Sequence, residues 1–180
     1  MSAAESTSPE FSLIVTIDDA AHGRKISAEA DTEARERIAA RLDLIALDRF
    51  TITADIRTIA GGIGAKGTVR ADLVQTCAAT AMPVPATIVE PFDLRFLRDV
   101  DAPVGEDDEI EINSDDCDLL PLDGDRMDLG DAAVQSLSLA LDPFPRHPDA
   151  DRVLAEKGVL TEEAAGPFAA LAKLRSKPDA

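Results

Sequence analysis

Two runs of alternating residues, joined by a glycine cluster, limit what this chain can fold into more than any other stretch. In "FTITADIR" the residues Phe50, Ile52, Ala54 and Ile56 alternate with Thr51, Thr53, Asp55 and Arg57. A period of two sends one set to a core and the other to solvent, so the segment reads as a half-buried strand. After "AGGIGAKG" the alternation resumes, with Val69, Ala71 and Leu73 against Arg70 and Asp72, and with Gln75 and Cys77 on the Leu73 face. The chain then turns at "ATAMPVP" and returns with Val84, Ala86, Ile88, Phe92, Leu94 and Phe96 on one side. Glu90 and Pro91 interrupt that third run, which predicts a bulge or an exposed edge. Together the three runs form an antiparallel meander whose one apolar face must be covered.

The glycines between the first two runs need a decision. Gly62, Gly64 and Gly67 match G-x-G-x-x-G, the fingerprint of dinucleotide-binding turns. That site requires a helix to follow, because the helix N-terminus holds the pyrophosphate. A second strand follows here, so the fingerprint is excluded and the glycines are assigned to a hairpin connection. Lys66, with Ala65 before it and Gly67 after it, is no phosphate-loop lysine either.

Helices supply the cover. Asp31 is placed to cap a helix from Thr32 to about Leu42, with Ala34, Ile38 and Leu42 on one stripe and Glu33 and Arg37 paired outside. Asp128 caps a second, starting near Leu129, with Asp131 in its first turn and Ala133, Val134, Leu137 and Leu141 on its buried side. Pro143 and Pro145 stop it. "ADRVLAEKG" has room for one or two helical turns, and "GPFAALAKLRSK" reads as a short C-terminal helix with proline at its first position. At the other end, "PEFSLIVTI" reads as an entry or edge strand. The expected class is α+β: an antiparallel meander sheet, flat or curved toward a partly open barrel, packed with two or three helices. The expected organisation is a disordered 1–9, a single domain over 10–148 with an acidic loop at 99–128, and a polar linker with the C-terminal helix over 149–180.

Charge is the second constraint. From Asp99 to Asp131 there are fourteen acidic side chains and one basic one, Arg126, a net −13 out of −17 for the whole chain. The rest is nearly balanced, so the acidity is local. A solvated loop is one reading; an acidic docking strip built on Asp107, Asp108, Glu109, Glu111, Asp115, Asp116 and Asp118 is the other. A calcium loop of the EF-hand type is excluded. With Gly124 as its central glycine, earlier ligand positions fall on Leu119 and Pro121, and the closing one falls on Gly130. Such acidity opposes sequence-independent attraction to nucleic-acid backbones, and DNA is not an expected partner. Aromatic content of 3%, without Trp or Tyr, leaves few platforms on which bases could stack. Arg24, Lys25, Arg57, Lys66 and Arg70 could form a local basic rim for direct contact with RNA, offset by neighbouring acids.

The remaining chemistry is sparse. "MSAAESTSPEF" has neither the basic start nor the apolar run of a signal peptide, and no window is long and apolar enough to span a membrane. A cytoplasmic location with reduced Cys77 and Cys117 is therefore expected. Zinc needs close ligand pairs, but the third residue after Cys77 is Thr80, and Cys117 is forty residues away. His22 and His147 sit in loop-like sequence and complete no ligand set or catalytic pair, and no G-x-S-x-G or H-E-x-x-H appears. No catalytic residue, metal or cofactor is assigned. Cys77 reads as a small buried side chain; the competing reading is a hydrolase-type enzyme using Cys77 or the acidic cluster.

The order "GTVRADLVQTC", "MPVPATIVEPFDLRF", an acid-rich loop and "MDLGDAAVQSLSLALDPFPRHP" resembles the YceD family, and the tail "GPFAALAKLRSK" is similar to those of alphaproteobacterial members. The resemblance runs over most of the chain, from about Phe11 to Lys177. The positions that carry it are Cys77, Pro83, Phe92, Phe96, Asp128, Leu129, Pro143 and Pro145. It implies a non-enzymatic factor in large-subunit (23S) ribosomal RNA accumulation, processing or assembly. The partner so implied is a basic ribosomal or RNA-processing protein, with ribosomal RNA itself as a further contact. Many members have C-x-x-C where this chain has Cys77-Ala78-Ala79-Thr80, so a paired-cysteine role does not carry over.

Overall fold

The structure, a computed structural model, describes residues 9–98 and 118–159. Its elements in chain order are β1 (Ile14–Thr16), α1 (Ile17–Ala20), β2 (Arg24–Glu29), α2 (Thr32–Arg41), β3 (Ala46–Ile59) and β4 (Gly62–Thr76). These are followed by β5 (Pro83–Leu97), β6 (Asp118–Pro121), β7 (Arg126–Asp128), α3 (Leu129–Ala140) and α4 (Ala150–Glu156). The chain divides into two compact units, Met1–Val74 with Pro85–Asp142, and Gln75–Val84 with Pro143–Ala180.

In the larger unit the sheet runs β2-β3-β4-β5-β6, an open order with two edges rather than a closed barrel. β2, β3 and β4 pair antiparallel, as the alternating runs require, with Phe50 opposite Ala71 and Ile52 opposite Val69. β6 adds in parallel along the last residues of β5, Leu94 opposite Asp118. The fold is α+β. Phe50, Ile52, Ile56, Ile63, Val69 and Leu73 of the sheet are fully buried together with Ile38 of α2 and Leu129, Val134 and Leu137 of α3. The Phe11 ring stands edge-on to Phe50, with centroids 5.6 Å apart.

Local signals place both longer helices. Asp31 Oδ1 accepts the Ala34 N–H at 2.8 Å, and Arg37 reaches Glu33 at 2.6 Å on the outer face of α2. Asp128 does more than cap α3. Its carboxylate accepts the N–H groups of Gly130 and Asp131, and also the Leu13 N–H at 2.9 Å and the Ser12 hydroxyl at 2.7 Å. One side chain therefore fixes both the helix start and the β1–β7 ribbon, in which Val15 pairs with Met127. The predicted first strand shrinks to Ile14–Thr16 because its only described partner, β7, is equally short.

Two expectations about the meander change. The β3–β4 connection is only Ala60–Gly61, with Gly61 at φ +79°, while Gly62, Gly64 and Gly67 lie inside β4. Gly62 and Gly67 are there because the backbone of a neighbouring strand passes too close for a side chain. A Cβ on Gly62 would lie 1.8 Å from the Phe96 carbonyl oxygen, and one on Gly67 would lie 2.0 Å from that of Thr53.

β5 is also unbroken across Glu90 and Pro91. The Arg98 N–H bonds the Gly61 carbonyl, and the Leu97 carbonyl accepts from Leu122, so even positions face β4 and odd positions face outward. Pro83, Pro85 and Pro91 are all odd and remove no donor from the β4 ladder. The exposed-edge expectation therefore holds, without a bulge. Among the described residues β6 covers only Leu94–Leu97 of that edge.

The smaller unit is a tight turn held by a proline segment. Cys77 donates its N–H to Met82 and accepts from Ala81, and Ala78 donates to the Pro145 carbonyl at 2.8 Å. α4 follows, its first residue Ala150 buried and donating to the His147 carbonyl.

Candidate functional site

Cys77 lies at the centre of this turn and is 2% exposed. The segment after α3 brings the His147 N–H to its sulfur at 3.3 Å. That N–H chiefly, then the Thr80 hydroxyl and the N–H groups of Ala79 and Thr80, favour the thiolate against the opposing effect of burial. Together they lower the thiol pKa to about 7. Thr80 Oγ1 is shut off from solvent and has no partner of hydrogen-bond geometry among the described residues, so it acts on the sulfur as a nearby dipole. The imidazole of His147 does not supply a base here. Its Nδ1 accepts the Asp149 N–H at 3.0 Å, and the group that meets the sulfur is main chain.

Two of the donors are local in sequence, the N–H groups of Ala79 and Thr80, whereas that of Ala78 goes to the Pro145 carbonyl. The decisive donor is 70 residues away in the chain. The protonation change has a definite sign. A folded thiol near pKa 7 against an ordinary value of 9.0 adds nothing to stability below pH 7, adds progressively between the two values, and adds fully above the upper one. Thiolate ultraviolet absorbance should show a transition near pH 7 that Cys77→Ser removes. Titration of both thiols in the ordinary range would contradict this.

The other seven positions that carry the family resemblance separate between the units. Phe92, Phe96 and Leu129 are buried in the larger unit, where Asp128 caps α3. Pro83 and Pro143 are exposed positions of the smaller unit, where Pro145 is buried and lends its carbonyl to Ala78.

Of the acidic docking residues, Asp107, Asp108, Glu109, Glu111, Asp115 and Asp116 lie outside the described residues. Asp118 is exposed at the start of β6. The acidic segment leaves from the end of β5 after Leu97 and returns at the start of β6, where Asp118 stands opposite Leu94, because those strands pair in parallel.

The solvent face of the sheet in the larger unit is polar and ordered into rows. Lys25 meets Asp55 at 3.6 Å, Lys66 meets Asp93 at 3.0 Å and Arg70 meets Asp72 at 3.6 Å, while Arg24, on the other face of β2 opposite Ile56, meets Asp19 at 3.3 Å. Four of the five residues of the expected basic rim are thus partnered by acids. Arg57 is the exception, exposed and without an ion pair among the described residues. Arg95 on β5 shares that condition and was not part of the sequence expectation. No group of three or more His, Cys, Asp or Glu among the described residues is arranged to hold a metal. No helix among them is long and apolar enough to cross a membrane.

A family model described as large ribosomal RNA subunit accumulation protein YceD matches residues 65–175, more than half of the chain. The chain belongs to the YceD family. The matched region starts inside β4 and takes in β5, the acidic segment, the Asp128 cap with α3, and the proline segment around Pro145. The YceD family is named for ribosomal RNA accumulation and not for a reaction. No curated protein and no solved structure gave a significant match.

Proposed function

We propose that this YceD protein supports accumulation or processing of large-subunit (23S) ribosomal RNA, and large-subunit assembly, as a cytoplasmic factor that binds without breaking bonds. The observation that carries the reading is the family match, whose printed description concerns large-subunit ribosomal RNA. The acidic segment supplies the mode of action: a basic ribosomal or RNA-processing protein docks on its carboxylates. Concentrated like charge, tethered at both ends to β5 and β6, attracts a basic surface over a Debye length of about 10 Å at 0.1 M salt.

Changing Asp107, Asp108, Asp115 and Asp116 together to asparagine tests the docking. Capture of ribosomal or RNA-processing proteins from lysate should fall by about tenfold at low ionic strength, with a smaller difference at high salt. Equal capture by mutant and parent at every salt concentration would rule the acidic strip out as the docking element.

A further inference from the structure

We propose that the solvent face of the sheet holds a backbone phosphate of RNA between Arg57 and Arg95, across Gly64. The proposal deepens the ribosomal RNA reading and rests on it. Register sets the geometry. Arg57 on β3 stands opposite Gly64 on β4. Lys66 meets Asp93, and Thr87 donates to Asp72, contacts that put Gly64 opposite Arg95 on β5. The line across three strands is therefore arginine, glycine, arginine, on the face away from the core.

The glycine lets the first arginine lie over it. A Cβ on Gly64 would sit 3.7 Å from both Cγ and Nε of Arg57, so this side chain covers β4 in the direction of Arg95. The Cα atoms of the two arginines are about 10 Å apart, two strand spacings, a gap that two long side chains can close on one anion. Like charges brought together on a sheet face are destabilising unless something negative stands between them. Every other cation in the neighbouring rows of this face has an acid: Lys25, Lys66, Arg70, and Arg49 with Glu29 at 3.6 Å. Among the described residues the two arginines have none, and the planar fork of each suits phosphate oxygens.

A repeated polyanion fits this face better than a single carboxylate does. Going down the sheet, Lys66 occupies the next row, and the hydroxyls of Ser27, Thr53 and Thr68 line up across the row after it. Rows on one face are about 7 Å apart, so successive phosphates and sugars meet a donor in each. No aromatic side chain is on these rows, so contact is to the backbone and carries no base preference. Asp55 and Asp93 hold the affinity down.

The test is anisotropy of a labelled single-stranded fragment of large-subunit ribosomal RNA, titrated with the full chain over a range of salt concentrations. Arg57→Gln with Arg95→Gln should weaken binding by about tenfold and flatten the plot of log K against log salt by about one, at an unchanged melting temperature. Arg57→Lys with Arg95→Lys keeps the charge and should recover only part of the affinity, because the fork is lost. Failure of the parent chain to bind, or equal binding by the glutamine pair, overturns the proposal. So does a glutamine pair that loses an acidic polypeptide while keeping RNA. The docking test reads the carboxylates at 107–116 and this one reads two arginines, so either can fail alone.

Discussion

Gly62→Ala is expected to destabilise the fold by about 3 kcal/mol or more, beyond what one added methyl group costs in most cores. In an exposed position the same change would be nearly neutral or slightly favourable, because alanine restricts the unfolded chain. Here the added carbon would stand 1.8 Å from the Phe96 oxygen and 2.8 Å from its carbonyl carbon. Both obstacles are backbone, so no rotamer change relieves them; β4 and β5 must move apart where β5 also receives β6. The melting temperature should fall by about 10 °C. Gly64→Ala is the internal comparison, since the obstacles there are side-chain atoms of Ile59 and Arg57 that can shift. A Gly62→Ala chain that melts within a degree or two of the parent would mean that β4 and β5 are not in contact as described.

These glycines show where sequence reading stops. The alternation of Phe50 to Ile56 and of Val69 to Leu73 made both strands and their buried faces legible, because a period of two is written in the residues themselves. The Asp31 and Asp128 caps were legible for the same reason: each satisfies N–H groups two or three residues away. A glycine inside a strand is different. What forbids its side chain is the Phe96 or Thr53 carbonyl of another strand, which no local pattern reveals.

Short edge elements were hidden in the same way. β2 contributes only Ile26 and Ala28 to the inner face, and β6 is cut from acid-rich sequence and pairs in parallel, so neither has a periodic signature of its own. The candidate sites divide along this line too. The concentration of carboxylates is plain from the sequence. The acidity of Cys77 depends on a donor delivered from His147, and the lack of an acid partner for Arg57 and Arg95 among the described residues depends on which acids the register gives to their neighbours. The proline pattern of β5 falls in between. Its odd spacing is in the sequence, but its meaning required knowing which side of the strand faces β4.

Phe50→Ala should have the largest effect of any single truncation in the sheet, a loss of about 4 kcal/mol. Phe50 is the largest of the fully buried side chains and sits at 0% exposure in the middle of β3, opposite Ala71. Alanine there faces alanine, so the space left behind cannot be filled by the cross-strand neighbour, and the lost ring is charged both its transfer energy and a cavity term. Phe11 loses its edge-on partner as well, and with it one of the contacts that hold the chain ahead of β1, beside the bonds of Ser12 and Leu13 to Asp128. Urea unfolding should show a lower midpoint with little change in slope if the folded and unfolded states keep their exposed areas. A Phe11→Ala and Phe50→Ala double-mutant cycle should then return a coupling of about 1 kcal/mol, the usual size for a perpendicular aromatic pair. Strict additivity would mean that the two rings do not meet in solution. A small Phe50→Ala effect would go further, because it would remove the apolar face on which the meander, the α2 and α3 cover, and the position of the arginine row all depend.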